Sequence, residues 1–218
     1  MTRPRTLAII FIFMLSHSLG KMNAACPCSP PVEKETGDSW KYSLLTLTYL
    51  EQHAKDYANP NFTADHGSLH LEARYNYEAL KTGSLWVGYK FKTGDNLELE
   101  ITPMLGGVMG DITGIAPGYN ISLSYQQFEL SAQGEYFFDA GTRENDFFYD
   151  WAEAKYSPTK WFFVGIVIER TQVLGADSDV RRGPFMGFKC DEKFDFTTYW
   201  LAPGSNKSAF VFAVTVNF

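Results

Sequence analysis

From residue 40 onward the chain alternates apolar and polar side chains with a period of two and shows almost no helical periodicity. Leu69, Leu71, Ala73, Tyr75, Tyr77 and Ala79 fall on one parity, and His70, Glu72, Arg74, Asn76 and Glu78 on the other. Successive side chains of a strand point to opposite faces, so such a segment is apolar on one side and polar on the other. Leu85, Val87, Tyr89 and Phe91 repeat the pattern against Gly88, Lys90 and Lys92, as do Leu97, Leu99 and Ile101 against Glu98, Glu100 and Thr102. Two more stretches, 119–125 and 128–138, alternate in the same way. Further strands fit residues 146–157, 160–171, 181–190, 193–201 and 208–218, with a first one near 40–52. Gly-, Pro- and Asn-rich pieces separate them, as at 81–83, 92–95, 157–159 and 203–206. The expectation is an all-β chain of long strands joined mostly as sequence neighbours.

Long strands with one apolar face suit two architectures. In a soluble sandwich or calyx the apolar face is the core, whereas in a transmembrane barrel it meets lipid and the polar face lines the lumen. Periodicity alone does not separate them. The last strand does: Phe210, Phe212, Val214, Val216 and the terminal Phe218 share one face, opposite Ala213, Thr215 and Asn217. This resembles the assembly signal of bacterial outer-membrane β-barrels, whose closing strand ends in an aromatic residue preceded by alternate hydrophobics. The resemblance implies a closed antiparallel transmembrane β-barrel in the bacterial outer membrane, in contact with its lipid and recognised through this strand by the barrel-assembly machinery. Closure has a physical reason, because hydrocarbon offers no partner to the backbone groups of an open edge.

With Phe218 in the periplasm, residues 203–207, 172–180 and 139–145 become extracellular loops, and those around 190–193, 157–160 and 125–128 tight periplasmic turns. Counted forward from a periplasmic N-terminus, 53–66 becomes an extracellular loop and 80–83 a periplasmic turn. Eleven strands are legible, yet a barrel with both termini on one side needs an even number. The missing strand is expected in the glycine-rich stretch from Met104 to Asp111, giving about 12 strands; ten, with the first segment outside the sheet, is the alternative.

Met1 to Gly20 reads as a secretory signal peptide, with Arg3 and Arg5 before an apolar run from Leu7 to Leu15 and small residues after it. Residues 21–38 are then a periplasmic segment and 39–218 the barrel domain. The run is too short to span a membrane as a helix. Composition adds an excess of aromatics, 18 Phe, 12 Tyr and 5 Trp, many of which suit the interfacial girdles of a barrel, Tyr75, Tyr77, Tyr89, Tyr119 and Phe138 among them. The net charge of −6 argues against nucleic acid, which requires a basic footprint. Cys26, Cys28 and Cys190 form no metal or redox motif and at most one N-terminal staple, from Cys26 or Cys28 to Cys190.

The polar parity carries the chemistry. Glu72, Arg74, Glu78, Lys90, Lys92, Glu98, Glu100, Glu129, Glu135, Glu153, Lys155 and Glu169 are expected to line the lumen. Both signs occur, so cross-strand ion pairs filling a narrow interior are expected, and a pore lined by charge is the functional alternative. An acidic lumen of that kind favours cations or polyols. The expected role is structural or passive transport of small solutes, without cofactor or metal. Two other functions fit parts of the sequence. His66, Ser68 and His70 share one face near the expected extracellular end and could serve a lipid-modifying or hydrolytic barrel enzyme with Asp65 or Glu72. A secreted soluble β-calyx could instead hold an apolar ligand.

Overall fold

The computed structural model describes residues 39–218, and the expected signal peptide, the 21–38 segment, Cys26 and Cys28 lie outside them. Thirteen stretches of strand follow one another: β1 Lys41–Glu51, β2 Tyr57–His66, β3 Leu69–Tyr75, β4 Thr82–Tyr89, β5 Phe91–Thr93, β6 Leu97–Gly110, β7 Gly114–Tyr125, β8 Phe128–Asp139, β9 Phe147–Tyr156, β10 Phe162–Val173, β11 Asp179–Cys190, β12 Phe194–Leu201 and β13 Ala209–Asn217. Every pairing is antiparallel, and β13 pairs with β1 to close the sheet. β4 and β5 are two pieces of one strand, interrupted only at Lys90, because both pair with β6 in a continuous register from Gly88 opposite Met104 to Phe91 opposite Ile101. The barrel therefore has twelve strands. No helix among the described residues is long and apolar enough to cross a membrane.

One end of the barrel carries the short connections at 67–68, 94–96, 126–127, 157–161 and 191–193, together with Phe218. The other carries those at 52–56, 76–81, 111–113, 140–146, 174–178 and 202–208. Short turns mark the periplasmic side of outer-membrane barrels and longer loops the extracellular side. We call them the turn end and the loop end.

The topology differs from the sequence-based expectation at one place. The additional strand is β2, at Tyr57–His66, where a loop is expected, and Met104–Gly110 is instead the second half of the long β6. The 76–81 connection consequently lies at the loop end, not among the periplasmic turns, and residues 76–79 leave the strand. β2 escapes detection because its sequence, YANPNFTADH, puts Asn59, Asn61, Thr63 and Asp65 inside and Ala58, Pro60, Phe62, Ala64 and His66 outside. Asn, Asp, Pro and Ala are poor strand formers on a soluble sheet. Here both neighbours, β1 and β3, satisfy the backbone, and the lumen supplies partners for the polar side chains.

The outer face is apolar over most of its area. Leu85, Val87, Leu105, Ile115, Leu130, Ile166, Phe210 and Phe212 are exposed on it. Aromatic rings gather near its ends. Tyr42 stacks on Phe62 and Phe218 at centroid distances of 6.0 and 6.2 Å at the turn end, and Trp200 on Phe210 at 5.6 Å towards the loop end. A soluble protein does not leave so large an apolar surface bare, whereas lipid covers it at no cost.

Inside, packing relies on aromatic rings lying across glycines of neighbouring strands. The Trp86 indole covers Gly106, where an added Cβ would come within 2.4 Å of the ring. Phe163 and Phe185 cover Gly187 and Gly165 in a reciprocal pair, with added Cβ atoms at 2.2 and 2.4 Å. Gly107, one residue along and on the outer parity, has nothing within 4 Å. Gly106→Val should therefore displace Trp86 and cost about 1–3 kcal/mol or more of overpacking, while Gly107→Val should be tolerated. Heat-modifiable gel mobility recorded against temperature checks this: a lower midpoint is expected for Gly106→Val only.

Candidate functional site

The lumen gathers the polar side chains into a network on β2 to β8. Glu72 of β3 is its hub. Its Oε1 accepts from His70 Nε2 at 2.7 Å and Asn120 Nδ2 at 3.1 Å, and its Oε2 from Arg74 Nε and from Asn61 Nδ2 at 3.1 Å. His70 Nδ1 bonds Asp65 Oδ1 at 2.7 Å, and Lys90 Nζ bonds the other oxygen of that carboxylate at 2.7 Å. Arg74 then crosses the lumen to Glu135 of β8, Nη1 to Oε2 at 2.9 Å. Glu72, Arg74 and Glu135 are 6%, 5% and 3% exposed, so this brace is sealed from bulk water. The guanidinium also stacks between the rings of Tyr77 and Trp86, at 4.4 and 4.3 Å. Arg is suited to this position because its planar fork can bond two carboxylates while its faces stack.

A second brace lies towards the loop end. Arg181 of β11 bonds Glu169 of β10 at 2.6 Å and Glu51 of β1 at 2.9 Å, and sits 6.0 Å from the centroid of Tyr49. Between the braces, Tyr77 meets Tyr149 edge-on at 5.5 Å, joining the 76–81 connection to β9 across the lumen. That connection folds inward: Asn76 and Lys81 both take positive φ of 58°, and Lys81 N donates to Asn76 Oδ1 at 2.7 Å. The remaining interior is largely apolar, with one cluster around Trp151, Tyr199, Phe163 and Phe185 and another around Trp86, Met104, Val108 and Phe137.

Two cavities open among these lumen side chains. One, of about 290 Å³, opens in the turn-end half, with Trp151, Tyr199, Glu100, Glu153, Asn120 and Gln133 among its walls. The other, of about 260 Å³, lies at the loop end against Tyr49, Tyr57, Tyr77 and Tyr149. Among the described residues no group of three or more His, Cys, Asp or Glu side chains is placed to hold a metal ion.

The sequence-derived lumen residues take up varied positions. Glu72, Arg74, Lys90, Glu135 and Glu169 join the braces just described. Glu129 pairs with Lys155 at 2.8 Å, and Glu153 accepts from Trp151 Nε1 at 2.7 Å. Glu98 and Glu100 flank Lys92 at 3.5 and 3.9 Å near the turn end. Glu78 enters from the 76–81 connection rather than from a strand, accepting from Ser84 Oγ at 2.5 Å. Tyr77, expected among the lipid-facing aromatics, also lies inside, because the strand stops at Tyr75. Phe210, Phe212, Val214 and Phe218 are exposed on the outer face, with Val216 half-buried beside them. Cys190 is exposed and has no disulfide partner among the described residues, which exclude Cys26 and Cys28.

His66, Ser68 and His70 are not brought together. His66 stacks with Trp40 at 5.0 Å on the outer parity, Ser68 occupies the periplasmic turn, and His70 points into the lumen between Asp65 and Glu72. The Gly67-Ser68 turn, missing from the expected topology, separates them. Tyr49, Tyr57, Asn59, Asn61, Trp86, Tyr149 and Arg181 belong to the lumen without having been singled out. Trp86 shares the parity of Lys90 and Lys92, a signal present in the sequence. β1 gives none, since Leu45, Leu47 and Tyr49 point inward and Leu44 and Leu50 outward.

Sequence comparison finds no relative, as no family profile and no curated protein matches the chain. Structure comparison does. The KdgM porin superposes with a TM-score of 0.54 at 10% identity, covering 81% of this chain and 98% of that one. The fold is that of the bacterial outer-membrane porins. A second structure, of KdgM porin in complex with disordered oligogalacturonate, gives a TM-score of 0.53 at 10% identity over the same shares. At this identity the likeness concerns the outer-membrane barrel fold and carries no residue of the lumen across.

Removing Arg74 would leave Glu72 and Glu135 buried without their shared cation. Breaking such a buried pair costs about 3–5 kcal/mol. Arg74→Ala is therefore expected to fold in reduced yield or unfold at clearly lower temperature, and Arg74→Ala with Glu135→Gln to recover part of the loss. A thermal melt of the three proteins in the same detergent checks it.

Proposed function

We propose that this outer-membrane barrel is a constricted passive route for small solutes, inserted through recognition of the face made by Phe210, Phe212, Val214, Val216 and Phe218 by the barrel-assembly machinery. The observation that carries the reading is the pair of lumen cavities, of about 290 and 260 Å³, on a path narrowed by the Arg74–Glu135 brace and the Tyr77–Tyr149 contact. A barrel serving only as a membrane staple has no need of open chambers reached by polar side chains, and a wide pore would not span its lumen with buried ion pairs. The acid-rich walls make a polyanion such as the oligogalacturonate of the KdgM complex a poor fit here. Solutes that are neutral or positively charged suit them.

Tyr77 narrows the path without carrying a charge, so Tyr77→Ala opens it without exposing an uncompensated carboxylate. In planar bilayers the unmodified barrel is expected to conduct weakly and Tyr77→Ala several-fold more. Folded, inserted protein that stays silent in both forms would overturn the channel reading.

A further inference from the structure

We propose that the loop-end cavity is a binding site for a small organic amine, a solute carrying one or more alkylammonium groups; this deepens the channel reading by naming the class of solute at its entrance. Three independent features point there. First, the walls are aromatic: Tyr49 stacks on Tyr57 at 4.6 Å, Tyr77 meets Tyr149 at 5.5 Å, and all four face the same cavity. Aromatic rings around a desolvated space attract a cation through their quadrupoles. The protein already uses its tyrosines in this way, with Arg74 over Tyr77 and Arg181 over Tyr49.

Second, the polar atoms left without a partner at this cavity are both acceptors. Asn59, 4% exposed, has an unpartnered Oδ1, and Glu78 an unpartnered Oε2, and both residues line the space. A buried acceptor without a donor is costly, and a ligand rich in N–H groups would satisfy it. The pattern extends inward, where Asn61 Oδ1, Asn120 Oδ1 and Glu135 Oε1 are unpartnered too. For Asn61 and Asn120 the orientation is fixed, since each amide nitrogen donates to the Glu72 carboxylate, which can only accept. An ammonium group with three donors matches such a path, and a carboxylate or phosphate does not.

Third, the charge around the cavity is negative in excess. Glu51, Glu169 and Glu78 stand against Arg181, whose guanidinium is shared by the first two. Glu78 pairs with no base among the described residues; its Oε1 accepts from Ser84 and Trp86. One ammonium placed between the tyrosines and Glu78 would halve this excess.

Calorimetric titration of the folded barrel in detergent micelles tests the proposal with three probes of equal chain length: putrescine, butanediol and succinate. Putrescine is expected to bind, butanediol weakly or not at all, and succinate not at all. Glu78→Gln and Tyr57→Leu, both checked for folding by heat-modifiable mobility, should each weaken putrescine by about tenfold, the loss expected for one desolvated cation contact. No heat with putrescine, equal binding of butanediol, or unchanged affinity in the two folded variants would overturn the site. Because calorimetry reads binding without conduction, a silent bilayer leaves this result standing, and absent binding leaves the channel reading standing.

Discussion

Everything in this structure depends on the seam between β1 and β13. A sheet in hydrocarbon has no water to satisfy its edge, so the first and last strands must find each other across the whole chain. They do so over nine residue pairs, from Ser43 opposite Asn217 to Glu51 opposite Ala209. The pairing runs to the last residue, where Tyr42 and Phe218 exchange both backbone hydrogen bonds at 3.0 Å. A slip of one residue would turn Phe210, Phe212 and Val214 inward and bring Val211 and Ala213 to the lipid, so the apolar face also fixes the register.

Closure at twelve strands determines what the interior must do. The space is too wide for cross-strand neighbours alone to fill. Aromatic rings laid over glycines occupy part of it, and long charged side chains span much of the rest. Arg74 reaches from β3 to β8, and Arg181 links β10 and β11 to β1. Each arginine holds two carboxylates at once, which satisfies its fork and leaves acid in excess. The cavities are what these braces leave over, and the unpartnered acceptors on their walls follow from the same excess.

The alternation of Leu69 to Tyr75, Leu85 to Phe91 and the final strand made the barrel legible, because lipid on one side and a polar lumen on the other write the strongest period-two signal a sheet can have. β2 was not legible, since its inner residues are Asn, Thr and Asp and its outer ones mostly Ala and Pro, a composition that reads as a loop wherever sheet neighbours are not yet known. That one omission reversed the sidedness of the 76–81 connection and hid that Tyr77 folds inward. The lumen acids were readable by parity, but their partners were not: the Arg74–Glu135 and Arg181–Glu51 pairs join residues far apart in sequence, and no periodicity reports a chord across a barrel. β1 kept its inward tyrosine hidden because leucine occurs on both of its faces.

The closed seam is tested most directly by joining its two strands covalently. Alternation from the hydrogen-bonded Tyr42–Phe218 pair makes Leu45 and Thr215 a non-hydrogen-bonded pair, the closer-spaced kind, suited to a disulfide. With Cys26, Cys28 and Cys190 replaced by serine, Leu45→Cys and Thr215→Cys should oxidise within one chain, giving a boiled protein that migrates as a closed loop until reductant is added. Failure to link, or links formed only between chains, would contradict a barrel closed between its first and last strands.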